Sequence, residues 1–422
     1  IFIKIYFIVS YMKDYTKKNI KSLKPSATLV INEKSKLLIS QGKKIYRFGF
    51  GQSPFPVPEK IVEALKKNAH QKNYMPIQGS LDLRTSIAKY ISKRTNNSFS
   101  AEDIIVSPGS KEMMFLLHLG FDGDVILPAP SWVSYEPHSI IGRNNFHWIE
   151  TTRENNWFPS PKQIEDKVKN LKNKNTFLII NSPNNPAGSN CKNFDEIAKV
   201  AKKYGIIILS DEIYTELSFN GEYNSISKYY PEGTIISSGL SKWCGAGGWR
   251  LGFFAVPSKL KSVLNMLKVL SSESFTAVST PVQYAAIEAF EGDHSKYLEK
   301  TTNILNAVGN YVYENLKSNK ILIQKPEGGF YLMPEFLNSK FKTSSEMCED
   351  ILDKSGVALL PGSDFGFKTN KMLARLSFTD FDGEKFLQNT KSGKKPDEEA
   401  IKNFAPNIVE GTKKLVDWCK SL

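Results

Sequence analysis

The chain has 422 residues, 41% of them apolar and 26 of them phenylalanine, enough for a large buried core and for two or three domains. A formal charge of +13 raises nucleic acid as a partner, but the lysines are spread through segments such as KKNIKSLK, EDKVKNLKNK and KSGKKPDEE. No dense basic stripe with interleaved aromatics appears, so the excess reads as a solvated surface that attracts anionic metabolites, and no nucleic acid is expected.

The opening IFIKIYFIVSY is apolar but too short to cross a bilayer, and it lacks a starting Met and a small-residue cleavage site. Residues 1–11 therefore read as non-native, with Met12 as the start and a signal peptide as the alternative. No membrane is expected as a partner. The four cysteines (Cys191, Cys244, Cys348 and Cys419) have no paired spacing, and the five histidines are equally dispersed. That pattern argues against a disulfide framework or a metal site and for a reducing compartment, so the expected location is cytoplasmic.

Short apolar runs then recur along the chain. DIIVS (Asp103–Ser107), DVILP (Asp124–Pro128), TFLII (Thr176–Ile180), GIIILS (Gly205–Ser210), TIISS (Thr234–Ser238) and LGFFAV (Leu251–Val256) read as buried strands. Segments such as KEMMFLLHL and NFDEIAKVAKKY carry apolar residues at helical spacing between them. Strands alternating with helices predict an α/β fold, a mostly parallel sheet covered by helices on both faces. From Ser295 the pattern changes to a long helix, then LIQKPEGGFYLM, a helix near Ser344–Lys354, VALLP and ARLSF. This predicts a smaller α+β domain whose sheet also takes a strand from Tyr46–Phe50. The expected division is 1–60 as N-terminal arm and part of the small domain, 61–294 as the large domain and 295–422 as the small one.

Ligands of such sheets bind beyond the carboxyl ends of the strands. Three unusual segments follow strands directly: NSPNNPAG after TFLII, DEIY after GIIILS, and GLSKWCGAGGWRLG after TIISS. Each alone has an ordinary reading. Asn and Pro favour turns, Asp211 can cap a helix, and Lys242 can be a surface lysine. The glycines Gly245, Gly247 and Gly248 do not make a dinucleotide fingerprint, because its third glycine would fall at Arg250 and a strand follows instead of a helix.

Taken together, and with LKPSAT, FGFGQSPFPVP, YMPIQGSLDLR, SPGSKE, PSWVSY and EGGFYL in order, the segments make the chain resemble the class I aminotransferases. These are fold type I enzymes of the aspartate aminotransferase superfamily, and the likeness is greatest to their prokaryotic-type aspartate branch. It runs from Leu23 to Phe378. It implies pyridoxal 5'-phosphate as cofactor and an amino acid and a 2-oxo acid as substrates, with residues 61–294 as the cofactor-binding domain. It implies that Lys242 joins the cofactor aldehyde and moves protons. Asp211 would partner the ring nitrogen, and Tyr214 and Asn184 the phenolic oxygen. Trp132 would stack on the ring. Gly109, Ser110, Lys111, Ser241 and Arg250 would surround the phosphate, with Arg250 buried as a fork-like grip.

Tyr74 matches a tyrosine that reaches the neighbouring subunit's cofactor, which implies a homodimer. Arg375 matches the arginine of the substrate α-carboxylate, with Gly51, Trp132 and Asn184 beside it. Lys111 and Thr28 point to a distal carboxylate, hence aspartate or glutamate as donor, with aromatic or neutral donors as the alternative. Two departures stand out. Gly239 occupies a place where some members have a phosphate-binding serine, which leaves Ser238 or Ser241 to substitute. The tail beyond Phe386 is longer than the family's compact ending. The rival readings are a lyase, cyclase or oxidase on the same cofactor, and a non-enzymatic regulator.

Overall fold

Seven strands build the central sheet of the computed structural model, which describes residues 15–173, 175–337 and 339–421. They are β1 (Ile104–Ser107), β2 (Asp124–Ala129), β3 (Asn145–Glu150), β4 (Thr176–Asn181), β5 (Ile207–Asp211), β6 (Thr234–Gly239) and β7 (Gly252–Ala255). Their order is β1-β7-β6-β5-β4-β2-β3; β6, β5, β4, β2 and β3 run parallel, and β7 is antiparallel to both of its neighbours. The expected mostly parallel sheet is therefore present. The opening residues 1–11, read above as non-native, lie outside the described residues.

Strand side chains alternate between faces, and the core divides accordingly. Val125, Leu127, Phe177, Ile179 and Leu209 pack with the helices Ser110–Gly120 and Lys261–Ser272 on one face. Ile126, Leu178, Ile180 and Ile208 pack with the helix Phe194–Tyr204 on the other. That helix buries Phe194, Ile197, Ala198 and Ala201, an i, i+3, i+4, i+7 stripe, and stops at Gly205, whose φ of 65° suits a residue without a side chain. The strand β3 has no counterpart in the sequence reading. It lies at the sheet's edge with mostly half-exposed residues, so its sequence lacks a continuous apolar run.

The strand ends fix the site. Asn181 at the end of β4 pairs with Asp211 at the end of β5, which pairs with Ser237 in β6. β4 and β5 thus stop level, β6 runs two residues further to Gly239, and the segments after them meet.

Beyond the long helix Ser295–Leu316, strands β8 (Ile321–Leu322), β9 (Tyr331–Leu332), β10 (Glu335–Phe336), β11 (Leu360–Pro361) and β12 (Ala374–Ser377) form two small sheets, ordered β10-β8 and β11-β12-β9. The helix Ser344–Ser355 starts at a capping box between Thr343 and Glu346 and ends at Gly356, φ 73°. Tyr46–Phe50 does not add a full strand as expected. Tyr46 makes one isolated parallel bridge to Val357, and the Phe48 carbonyl accepts from Ser377 N–H at 2.7 Å. The long tail forms helices Glu398–Phe404 and Pro406–Lys420; Trp418 is buried and donates its indole N–H to Asp350 at 2.8 Å. Among the described residues no helix is long and apolar enough to cross a membrane.

Candidate active site

A cavity of about 480 Å³ opens where the parallel strands end, lined among others by Trp132, Asp211, Tyr214, Lys242, Arg250 and Arg375. Three of these follow β5 and β6 directly; Arg375 comes from β12 in the small sheet.

Asp211 is buried, and its Oδ2 accepts a 2.6 Å hydrogen bond from the Tyr135 hydroxyl. Burial pushes its pKa up to about 6, against the opposing pull of Tyr135, the Ile213 N–H and the charge of Lys242. The Lys242 ammonium lies 5.5 Å from the Tyr214 ring centre and donates to the Gly51 carbonyl at 3.0 Å. Gly51 cannot carry a side chain here: a Cβ would stand 2.0 Å from the Tyr331 hydroxyl.

The asparagine of the site is Asn185, not Asn184. Asn184 turns its side chain into its own bend, Oδ1 accepting from Ala187 N–H at 3.1 Å. Asn185 faces the cavity, donates to the Tyr214 hydroxyl at 3.3 Å and accepts from Arg375 Nη1 at 3.1 Å. Its backbone N–H is fixed at 2.7 Å on Oδ1 of Asn181, whose Nδ2 bonds the Asp211 carbonyl at 2.8 Å. Adjacent asparagines in a bend cannot be told apart by composition; backbone direction decides.

Arg375 is 1% exposed. Its Nη2 donates to the Gly49 carbonyl at 2.7 Å, while the buried Nε has no partner. Among the described residues no carboxylate pairs with it, and burial draws its pKa down. Asp364 reaches it only through its charge, and a buried guanidinium with no direct ion pair is costly unless an anion arrives.

At the opposite rim, Gly109 precedes the helix Ser110–Gly120 with φ 83°, and a Cβ there would meet Arg250 Nη2 at 2.0 Å. A Cβ on Gly252 would stand 2.2 Å from the Ser110 nitrogen. The backbone N–H end of the helix, the bare glycines and the guanidinium form one cradle for an anion. Arg250 is exposed rather than buried as expected, donating to the Gly247 and Pro108 carbonyls at 2.8 and 3.1 Å. Gly239 leaves no room for a serine, because its Cβ would lie 2.7 Å from both the Leu251 oxygen and the Gly252 Cα. Ser241 lines the cavity, whereas Ser238 is turned towards the Glu212 carbonyl at 3.4 Å.

Lys111 also lines the cavity, 5.4 Å from the Trp132 ring; burial and then Arg250 lower its pKa. Thr28 lies on the same wall with a buried, unpartnered hydroxyl. Tyr74 does not line it and is 89% exposed. The sequence gives no role to Tyr135, Asn181 and Tyr331, whose bonds to Asp211, to the Asp211 carbonyl and to Tyr214 span 76, 30 and 117 residues.

The sequence model of the family "Aminotransferase class I and II" matches residues 43–386. The protein belongs to this family. Similar curated relatives of the aminotransferase include the aspartate aminotransferase of Bacillus sp. (strain YM-2), 32% identical over 84% of this chain and 93% of its own, and that of Thermotoga maritima, 31% identical over 82% and 91%. Among solved structures, the aspartate aminotransferase of Thermus thermophilus with maleate superposes with a TM-score of 0.82 at 25% identity, covering 96% of this chain and 99% of that one. The aminotransferase thus has the fold type I α/β architecture and transfers amino groups with pyridoxal 5'-phosphate, as the sequence had implied. The cavity fits that group: a glycine-lined anion cradle at one end, a buried carboxylate at the other, and a lysine between them.

Proposed function

We propose that this aminotransferase takes an acidic L-amino acid, aspartate or glutamate, as donor and passes the amino group to a 2-oxo acid in two alternating half-reactions. The carrying observation is a pair of cavity cations with no direct ion pair among the described residues, Arg375 and Lys111, on which Asp364 and Glu112 act only through their charge. In this reading Arg375 binds the α-carboxylate, beside Gly51, Trp132 and Asn185, and Lys111 and Thr28 receive the distal one. The relatives named for aspartate, and the maleate of the Thermus thermophilus structure, support a dicarboxylate.

The bound cofactor supplies an electron sink for the substrate's α-carbon. Arg250, Ser241 and the N–H groups at Gly109 and Ser110 would hold its phosphate, Trp132 would take its ring, and Tyr214 and Asn185 would serve its phenolic oxygen. Asp211 would serve the ring nitrogen, kept ionised by Tyr135 and by the positive charge of that nitrogen against the cost of burial. Lys242 would hold the aldehyde until the substrate's amine takes its place, and the Nζ so freed would take the substrate's α-proton and return it. Tyr74 reaches the neighbouring subunit's site in a homodimer, and residues 61–294 form the cofactor-binding domain.

A panel of amino donors against 2-oxoglutarate tests the reading, with the visible absorbance of the holoprotein followed in parallel. Aspartate or glutamate is expected to lead, and Lys242→Ala to lose both the absorbance band and turnover. Preference for alanine or phenylalanine, unaltered by Lys111→Ala, would refute the acidic pocket.

A further inference from the structure

Tyr331 on β9 touches three of the groups assigned above and has been given no role. It is 2% exposed and lines the cavity. Its hydroxyl lies 3.0 Å from the Tyr214 hydroxyl, and its ring lies 4.7 Å beneath the Arg375 guanidinium. It is also 3.5 Å from the Gly51 carbonyl, the oxygen on which Lys242 Nζ rests.

This placement follows from the small sheet. Tyr331 pairs with Ser377 across β9 and β12, and Arg375, two residues before Ser377, shares the face on which Tyr331 projects. The glycine at position 51 has a matching cause, since any side chain there would overlap the Tyr331 hydroxyl. Phe330 packs tilted against the ring at 4.8 Å and limits how far the hydroxyl can move.

We infer that Tyr331 is a positioning residue through which occupation of Arg375 by a carboxylate changes the hydrogen bonding of Tyr214 and the setting of Lys242. An arriving carboxylate draws the guanidinium charge off the aromatic face, where a cation is otherwise stabilised. The Tyr331 ring responds, and with it the hydroxyl shared between Tyr214 and the Gly51 carbonyl. Asn185 makes a parallel link, bonded to both Arg375 and Tyr214. Tyr331 differs from it in also reaching the oxygen that holds the lysine. The inference rests on the functional reading given above.

The test is a pH titration of the visible absorbance of the holoprotein, with and without the unreactive dicarboxylate maleate, in the wild type, Tyr331→Phe and Tyr331→Leu. In the wild type maleate is expected to move the absorbance midpoint by about one pH unit, a tenfold change in proton affinity. Tyr331→Phe keeps the ring under Arg375 and is expected to lose at least half of that shift, with maleate affinity changed less than about tenfold. Tyr331→Leu is expected to lose the remainder and to weaken maleate further. A full shift in folded Tyr331→Phe holoprotein, with unchanged thermal stability, would overturn the inference and leave the functional reading standing. A wild type without an absorbance band, or without any response to maleate, would overturn both.

Discussion

Tyr135 and Asp211 are 76 residues apart in the chain, and the hydroxyl of one donates at 2.6 Å to the buried carboxylate of the other. Among the described residues, the second oxygen of Asp211 accepts only from the Ile213 N–H, at 3.4 Å. Tyr135→Phe therefore removes the strongest fixed support of the ionised acid. Losing a hydrogen bond to a charged buried group costs about 1.5–3 kcal/mol. Cofactor is expected to dissociate roughly ten- to a hundredfold more readily, as followed by absorbance after dialysis, with secondary structure unchanged.

The same acid gives a pH signature in the apoprotein. Its folded pKa of about 6 lies above the usual 3.8. A raised carboxylate pKa means that the folded state binds the extra proton between those values, so this group's contribution to stability is greatest below about pH 4 and falls as pH rises towards 6. Asp211→Asn lacks that loss. Urea unfolding of the two apoproteins is expected to diverge across this window and then run parallel, with the variant ahead by on the order of 2–3 kcal/mol above pH 6.

Asn184→Ala and Asn185→Ala separate neighbours. The first removes a bond within the bend and is expected to lower stability by about 1 kcal/mol while sparing KM. The second breaks links to both Tyr214 and Arg375 and is expected to raise KM about tenfold and shift the absorbance of bound cofactor. Steady-state kinetics alongside thermal melts distinguish the two.

Lys111→Ala is expected to lower kcat/KM for aspartate by about ten- to a hundredfold, the worth of one charge-assisted contact, and to leave alanine nearly unaffected. A donor panel on the purified variant reads this directly.

Gly109→Ala places a methyl group against the Arg250 guanidinium at a backbone angle that L side chains rarely adopt. The exposed arginine can retreat, so the fold is expected to lose only about 1 kcal/mol. The cradle is lost in that retreat. Equilibrium cofactor binding is expected to weaken more than tenfold, a larger effect than the melt reveals.

Six strands of the large sheet were readable because each is an unbroken apolar run that ends in a conspicuous polar segment. The edge strand β3 was not, since half-exposed NFHWIE has no such run. Lys242, Asp211, Tyr214 and Arg375 were legible through ordered motifs, and the cavity brings them together. What sequence withheld was direction and distance. It placed the site's role on Asn184 where Asn185 points inward, and it expected a buried Arg250 that stands exposed at the rim. Tyr135 and Tyr331 sit within the motifs PSWVSY and EGGFYL, but their roles were not legible there because their partners lie on remote segments.

The level finish of β4 and β5 has an evolutionary corollary. Asp211 and Glu212 are consecutive acids at the tip of β5, yet only Asp211 lines the cavity, while Glu212 is enclosed by Ser210, Tyr223 and Ser225. Gaining or losing one codon within Ile207–Ser210 would reverse which acid confronts the cofactor. Length changes in this lineage should accordingly collect in the outer connections and spare that short stretch, however freely its aliphatic letters are exchanged.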